Sequence, residues 1–167
     1  MSSHAPLTSS MCASQLIRSV LPTSQRRQAM PFPLDPKYVT ETEAKLGVTF
    51  PLGFVAVMVK ENGGFAHTPP DGWSLYPFRD GSSRKRIKRT CNDIVYQTEY
   101  ARSHAGFPPD AVAIGSNGGG DELVLLPSAT DAARLQDAVF WWDHESGSIG
   151  KVADDFTDLR ITDRSQG

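Results

Sequence analysis

The sequence predicts an α+β fold: one domain with an antiparallel-rich central sheet flanked by helices. Three observations carry this. Segments with helical apolar spacing come first and segments with strand character follow one another in the C-terminal third, an order that favours antiparallel pairing over a doubly wound parallel sheet. No segment repeats another. The chain has 167 residues, with 39 % hydrophobic and 22 % charged residues, which suits a single core and is far from a disordered composition.

The elements read in order as follows. Residues 1–34 form a tail, expected to be disordered. Ser, Thr, Gln and Pro dominate it, and Leu16, Ile17, Val20 and Leu21 offer two turns of weak amphipathic helix. It contains Arg18, Arg26 and Arg27 and no acid, a composition also found in organelle transit peptides. An upstream start, with Met30 as the true beginning, reads equally well. The domain is expected over 35–167. Asp35 is a good N-cap with Pro36 at the first helical position, Tyr38, Val39, Ala44 and Leu46 give an apolar side, and Gly47 ends the helix. A second helix starts at Pro51, with Phe54, Val55, Met58 and Val59 facing the core. Asn62-Gly63-Gly64 stops it.

A Pro- and Gly-rich loop comes next, then a strand at Trp73 to Tyr76, where apolar and polar residues alternate. The run Arg84, Lys85, Arg86, Lys88 and Arg89 reads as a solvated loop; it lacks the interleaved aromatics of a nucleic-acid stacking platform. Thr90 with Asp93 three residues on resembles a capping box for a third helix ending near His104. Strands are expected at Ala111 to Ile114, Glu122 to Leu126, Ala138 to Asp143 and Ile149 to Ala153. The connection Pro127 to Asp137 is polar with room for one helical turn, and Asp154-Asp155 open a last helix carrying Phe156, Leu159 and Ile161.

Charge narrows the function. The net charge is −2, but from Asp110 onward eleven acids face four Lys/Arg. That argues against nucleic acid as a direct partner and suits docking onto a basic protein. No apolar run is long enough for a membrane span and the N-terminus lacks a secretory apolar region, so a cytoplasmic protein is expected. Cys12 and Cys91 are far apart, which makes a disulfide framework or cysteine zinc site a poor reading.

The chemistry-bearing motifs each have a bland explanation. A phosphate cradle at Gly115 to Asp121 would feed a helix N-terminus, but here the apolar strand Leu123 to Leu126 follows and Asp121 and Glu122 would repel phosphate. A tight hairpin turn fits better. Asp143-His144-Glu145 alternate in direction at a strand end, so a metal site would need further ligands such as Asp121 or Glu122. A turn with solvated charges is the plainer reading, and no metal or cofactor is expected. No nucleophile elbow or Cys–His motif is present, and no catalytic residue is assigned. Trp141 and Trp142 are adjacent on a strand, so one faces the core and the other the opposite side of the sheet.

Four segments in order resemble one family. They are Thr42 to Pro51, Val59 to Gly64, Ile114 to Asp121, and Val139 to Glu145 followed by Ile149, Ala153 and Phe156. Together they resemble the SUKH superfamily of bacterial immunity proteins and yeast cell-wall assembly regulator-like domains. The resemblance implies a sheet flanked by helices and no catalytic activity. For many bacterial members it implies neutralisation of a toxin, often a nuclease, by direct binding. The tail and the basic run depart from the pattern. On this reading the partner is a protein toxin, met by Asp121, Glu122, Trp142, Asp143 and Glu145. The alternatives are a regulatory or scaffold module binding a cellular protein, and a metal-dependent hydrolase using Asp121, Asp143 and His144.

Overall fold

Asp35 does what a short acid does at a helix entrance: its carboxylate accepts the Lys37 N–H at 3.0 Å, although Pro36 itself takes the N-cap position. The helix that follows, α1 (Lys37–Leu46), ends at Gly47, whose φ of +68° suits only glycine without strain. Its buried side is Tyr38, Val39 and Thr42, whose hydroxyl donates to the Tyr38 carbonyl; Ala44, two residues past Thr42, falls on the opposite face and is exposed. The next helix, α2 (Leu52–Lys60), buries Phe54 and Met58 completely, with Val55 and Val59 half-buried beside them. Asn62 then staples its end to the chain after β2 (Asp71–Leu75) by a reciprocal pair of 2.8 Å bonds with the Phe78 backbone.

The computed structural model describes residues 32–162. The tail reading, including the weak helix at 16–21 and the alternative start at Met30, falls almost wholly outside them. Phe32 to Leu34, however, pack on the domain. Leu34 is buried and donates to the Val59 carbonyl at 2.9 Å, and the Phe32 carbonyl accepts from Asn62 at 2.9 Å.

The remaining elements are β1 (Phe65–Thr68), α3 (Arg84–Arg89), α4 (Ile94–Arg102), β3 (Val112–Ser116), β4 (Glu122–Pro127), β5 (Leu135–Trp142), β6 (Ile149–Ala153), a 3-10 turn (Phe156–Asp158) and β7 (Arg160–Thr162). They form a seven-stranded sheet ordered β6-β5-β4-β3-β2-β1-β7, every neighbouring pair antiparallel. Strands spaced ~4.8 Å apart would put the outer two of a flat seven-stranded sheet about 29 Å from each other. The link from Ala153 to Arg160 reaches at most about 25 Å even when fully extended, and a 3-10 turn shortens it. The sheet therefore has to curl, bringing its two edges toward each other.

Curling creates two cores. The larger holds α1 and α2 against Trp73, Ile114, Leu123, Leu125 and Val139. Its centre is the Phe54 ring, which meets Phe50, Phe78 and Phe156 at 5.4, 5.8 and 4.8 Å. The smaller lies on the other face, where Ala113, Val124 and Trp142 meet Ala101 of α4 and Phe107. Alternation explains the assignment: Val112 and Ile114 point one way and Ala113 the other. It also explains why β3 and β4 read as unbroken apolar runs, since both of their faces are buried.

Four sequence expectations need correction. The Pro- and Gly-rich loop contains β1, whose four residues are too few to show alternation and which is stabilised by pairing with β2 and β7. The basic run is a helix, not a loop. Ser83 caps it by accepting from Arg86 N at 3.2 Å, and its charges find tertiary partners: Arg86 reaches Asp80 at 2.8 Å, and Arg86 and Arg89 lie over the Phe32 ring. Thr90 does not cap α4. Asp93 does, accepting from Val95 and Tyr96 N–H at 3.0 and 3.2 Å, while Thr90 is buried between Asp80 N and the Arg86 carbonyl. The expected last helix shrinks to one 3-10 turn, after which β7 pairs with β1; the sheet edge competes successfully for the backbone of 160–162. In addition, β5 begins at Leu135, inside the expected connection, where Thr49 pairs with Arg134 in an isolated parallel bridge.

Candidate functional site

The end of the sheet where β4 starts and β5 stops gathers the acids singled out in the sequence. Glu122 and Trp142 are register partners, so Asp121 and Asp143 sit across from each other just beyond the strands. Two tight turns shape this end. In the first, Asn117 accepts from Gly119 and Asp121 N–H at 2.8 and 3.3 Å and donates to the Asp121 carboxylate at 2.8 Å. Gly120 has φ +113°, and a side chain there would strike the His144 ring. In the second, the Asp143 carboxylate accepts from Glu145 N at 2.8 Å and from the Ser146 hydroxyl at 2.7 Å, and Gly147 N closes onto the Asp143 carbonyl. The glycine cluster and the Asp-His-Glu segment are thus both turns.

His144 joins them. Its Nδ1 lies 2.8 Å from the Asp121 carboxylate, which also accepts the His144 N–H at 3.2 Å. Burial pushes the Asp121 carboxyl up, but the His144 and Asn117 hydrogen bonds outweigh it and hold the group below its ordinary value. The same bond raises the His144 imidazole, against a smaller desolvation effect. Hydrogen bonds from the Ser146 hydroxyl and then the Glu145 N–H lower Asp143.

Glu122 points the other way, under α4. Burial drives its carboxyl up to about 7; the hydrogen bond from the Tyr76 hydroxyl opposes this and the Asp121 charge adds to it. The Tyr76 hydroxyl lies 2.9 and 3.1 Å from the two carboxylate oxygens, and its own ionisation is pushed up by burial and by the Glu122 charge.

Of the five residues expected to meet a partner, Glu145 is exposed and Asp121, Glu122 and Asp143 are partly buried. Trp142 is corrected: it is 2 % exposed, stacked edge-on against Phe107 at 5.1 Å and bonded to the Gly106 carbonyl. The half-exposed tryptophan is Trp141, which lies over Gly150 of β6, a position where any Cβ would collide with the indole. Sequence reasoning also missed Tyr96 and Tyr100, 55 % and 56 % exposed on α4. The signal was present as two tyrosines four residues apart, which places them on one face of the helix.

Asp121, Asp143 and His144 do bring one potential ligand atom each within 4.8 Å of one another, as the hydrolase alternative required. The cluster is closed on itself, however: the carboxylates already accept from Asn117, His144, Glu145 and Ser146. Among the described residues no helix is long and apolar enough to cross a membrane.

A strongly curled antiparallel sheet, helices on both faces and an acidic end built from turns define a small α+β domain. The chain belongs to the SMI1 / KNR4 family (SUKH-1), whose model matches residues 33–160. No curated protein and no solved structure matches it.

Proposed function

We propose that this protein is a non-catalytic, cytoplasmic binding domain of the immunity type, neutralising a toxin by direct contact. The observation that carries the reading is the acidic end of the sheet. Asp143 and Glu145, with Asp121 bonded to His144 beside them, lie on two adjoining turns, 117–121 and 143–148, that contain no lysine or arginine. Asp121 and Asp143 are held as carboxylates by their hydrogen bonds. Such a surface complements a toxin whose active site is basic because it binds nucleic acid, and imitates the charge of that substrate. Family membership supports a binding role of this or of a regulator-like kind.

Co-expression with each toxin encoded beside this gene tests the reading. Protection of the cells and a complex that survives gel filtration are expected with one of them. Absence of both across the set, with capture of a host regulatory protein instead, would replace the immunity reading with the scaffold one.

A further inference from the structure

Beneath α4 lies a cavity of about 290 Å³, walled by Tyr76, Tyr100, Ala101, His104 and Trp142 and floored by Glu122. It sits at the lower limit of the ~300–1,000 Å³ typical of small-molecule sites, so it suits one side chain better than a cofactor.

Its chemistry is selective. An ionised carboxylate has roughly four acceptor positions and no donor. Among the described residues, Tyr76 supplies the one side-chain hydrogen bond that Glu122 receives. The floor is therefore an acceptor with capacity for further donors, and Tyr76, Tyr100 and Trp142 give the wall an aromatic share beside the polar Gln97 and Ser116. An anion would be repelled, and an apolar group would desolvate the carboxylate further without pairing it. An ammonium or guanidinium group supplies both missing partners, hydrogen bonds to the carboxylate and charge against aromatic rings. In the wall, Tyr100 meets His104 edge-on at 4.8 Å, and Tyr96 stands one turn away on the same helix face. Exposed tyrosines beside a pocket are the residue type that dominates interface energetics.

We propose that the cavity between α4 and the β3–β4 hairpin receives a single lysine or arginine side chain from the partner protein, with Tyr96 and Tyr100 forming the adjoining contact surface. The proposal rests on the binding role above and extends the interface from the acidic turns onto α4.

The test uses the full chain and the probe N-acetyl-arginine amide, followed by amide NMR shifts at a pH of about 8, where Glu122 is ionised. Saturable shifts are expected at Ala101, Gly118 and Gly120, with a dissociation constant of millimolar order. The neutral isostere N-acetyl-citrulline amide should produce none. Glu122→Gln and Tyr100→Ala should each weaken binding at least ~5-fold. Equal binding of citrulline, shifts confined elsewhere, or no shifts up to ~50 mM probe would overturn the proposal. The two readings fail separately. If a toxin complex forms and neither substitution weakens it, the cavity is excluded from the interface while the immunity reading stands. If no toxin binds but the arginine probe does, the reverse holds.

Discussion

Glu122 carries two conflicting demands. As a strand residue opposite Trp142 it belongs to the buried face under α4, yet it is an acid with a single hydroxyl partner. Burial raises its carboxyl from an ordinary 4.5 to about 7. Between those values the folded chain holds a proton that the unfolded chain has lost, so stability falls as pH rises through this window and levels off above it. Glu122→Gln removes this cost. Urea unfolding of the two proteins should give similar stability near pH 4 and a variant more stable by roughly 1–3 kcal/mol near pH 8. His144 titrates in both proteins, so the difference between the curves isolates Glu122; parallel curves would refute the assignment. Asp80 shows the opposite solution to burial. It is 1 % exposed, and although burial pushes its carboxyl up, bonds from Ser82 and Arg86 hold it low. The residues Asp121, Glu122, Asp143 and Glu145 were legible in the sequence as a set of acids. That Glu122 turns inward while Asp121 turns to His144 follows from strand alternation, which needs the register to be known.

At the scale of elements, legibility followed how local the determining forces are. Helices α1 and α2 and strands β3, β4 and β6 are encoded by nearby apolar spacing and by glycine and proline stops, and they fall close to where the sequence places them. Elements fixed by distant partners were misread. The helix α3 is a run of like charges, unfavourable on its own, that becomes tolerable because Asp80, the Pro33 carbonyl and the Phe32 ring lie beside it. β7 exists because it pairs with β1, which β2 holds on its other side. The start of α4 is a sharper case, since both Thr90 and Asp93 are plausible caps and only the structure separates them. Asp93 accepts two of the helix's orphan N–H groups. Asp93→Ala should therefore cost about 0.5–2 kcal/mol, read as a lower urea midpoint with an unchanged slope. An equal loss of stability in Asp93→Asn, which keeps a capping oxygen, would show that the Arg79 ion pair rather than the cap is responsible.

The whole molecule turns sheet geometry into a fixed field of charge. As interior strands of the curled sheet, β4 and β5 are held by pairing on both sides. The two turns they carry are locked in addition by side-chain hydrogen bonds, so Asp121 and Asp143 lose little freedom when a partner arrives. Preorganised like charges at one end of a molecule accelerate encounter with an oppositely charged surface more than they slow dissociation. Exposed charges more than about 8 Å apart are largely screened at physiological salt. Association with the proposed basic partner should then fall about tenfold or more between ~20 mM and ~500 mM NaCl, while the dissociation rate changes little. Asp121→Asn combined with Asp143→Asn and Glu145→Gln should flatten that salt dependence, and stopped-flow association rates measure it directly. Glu122→Gln in the cavity should act mainly on dissociation, because a side chain held in a desolvated pocket is released last. An association rate indifferent to salt would place the contact elsewhere on the molecule, and salt dependence surviving the triple substitution would assign the steering to other acids, with Asp154, Asp155 and Asp158 of the edge-joining link the next to test.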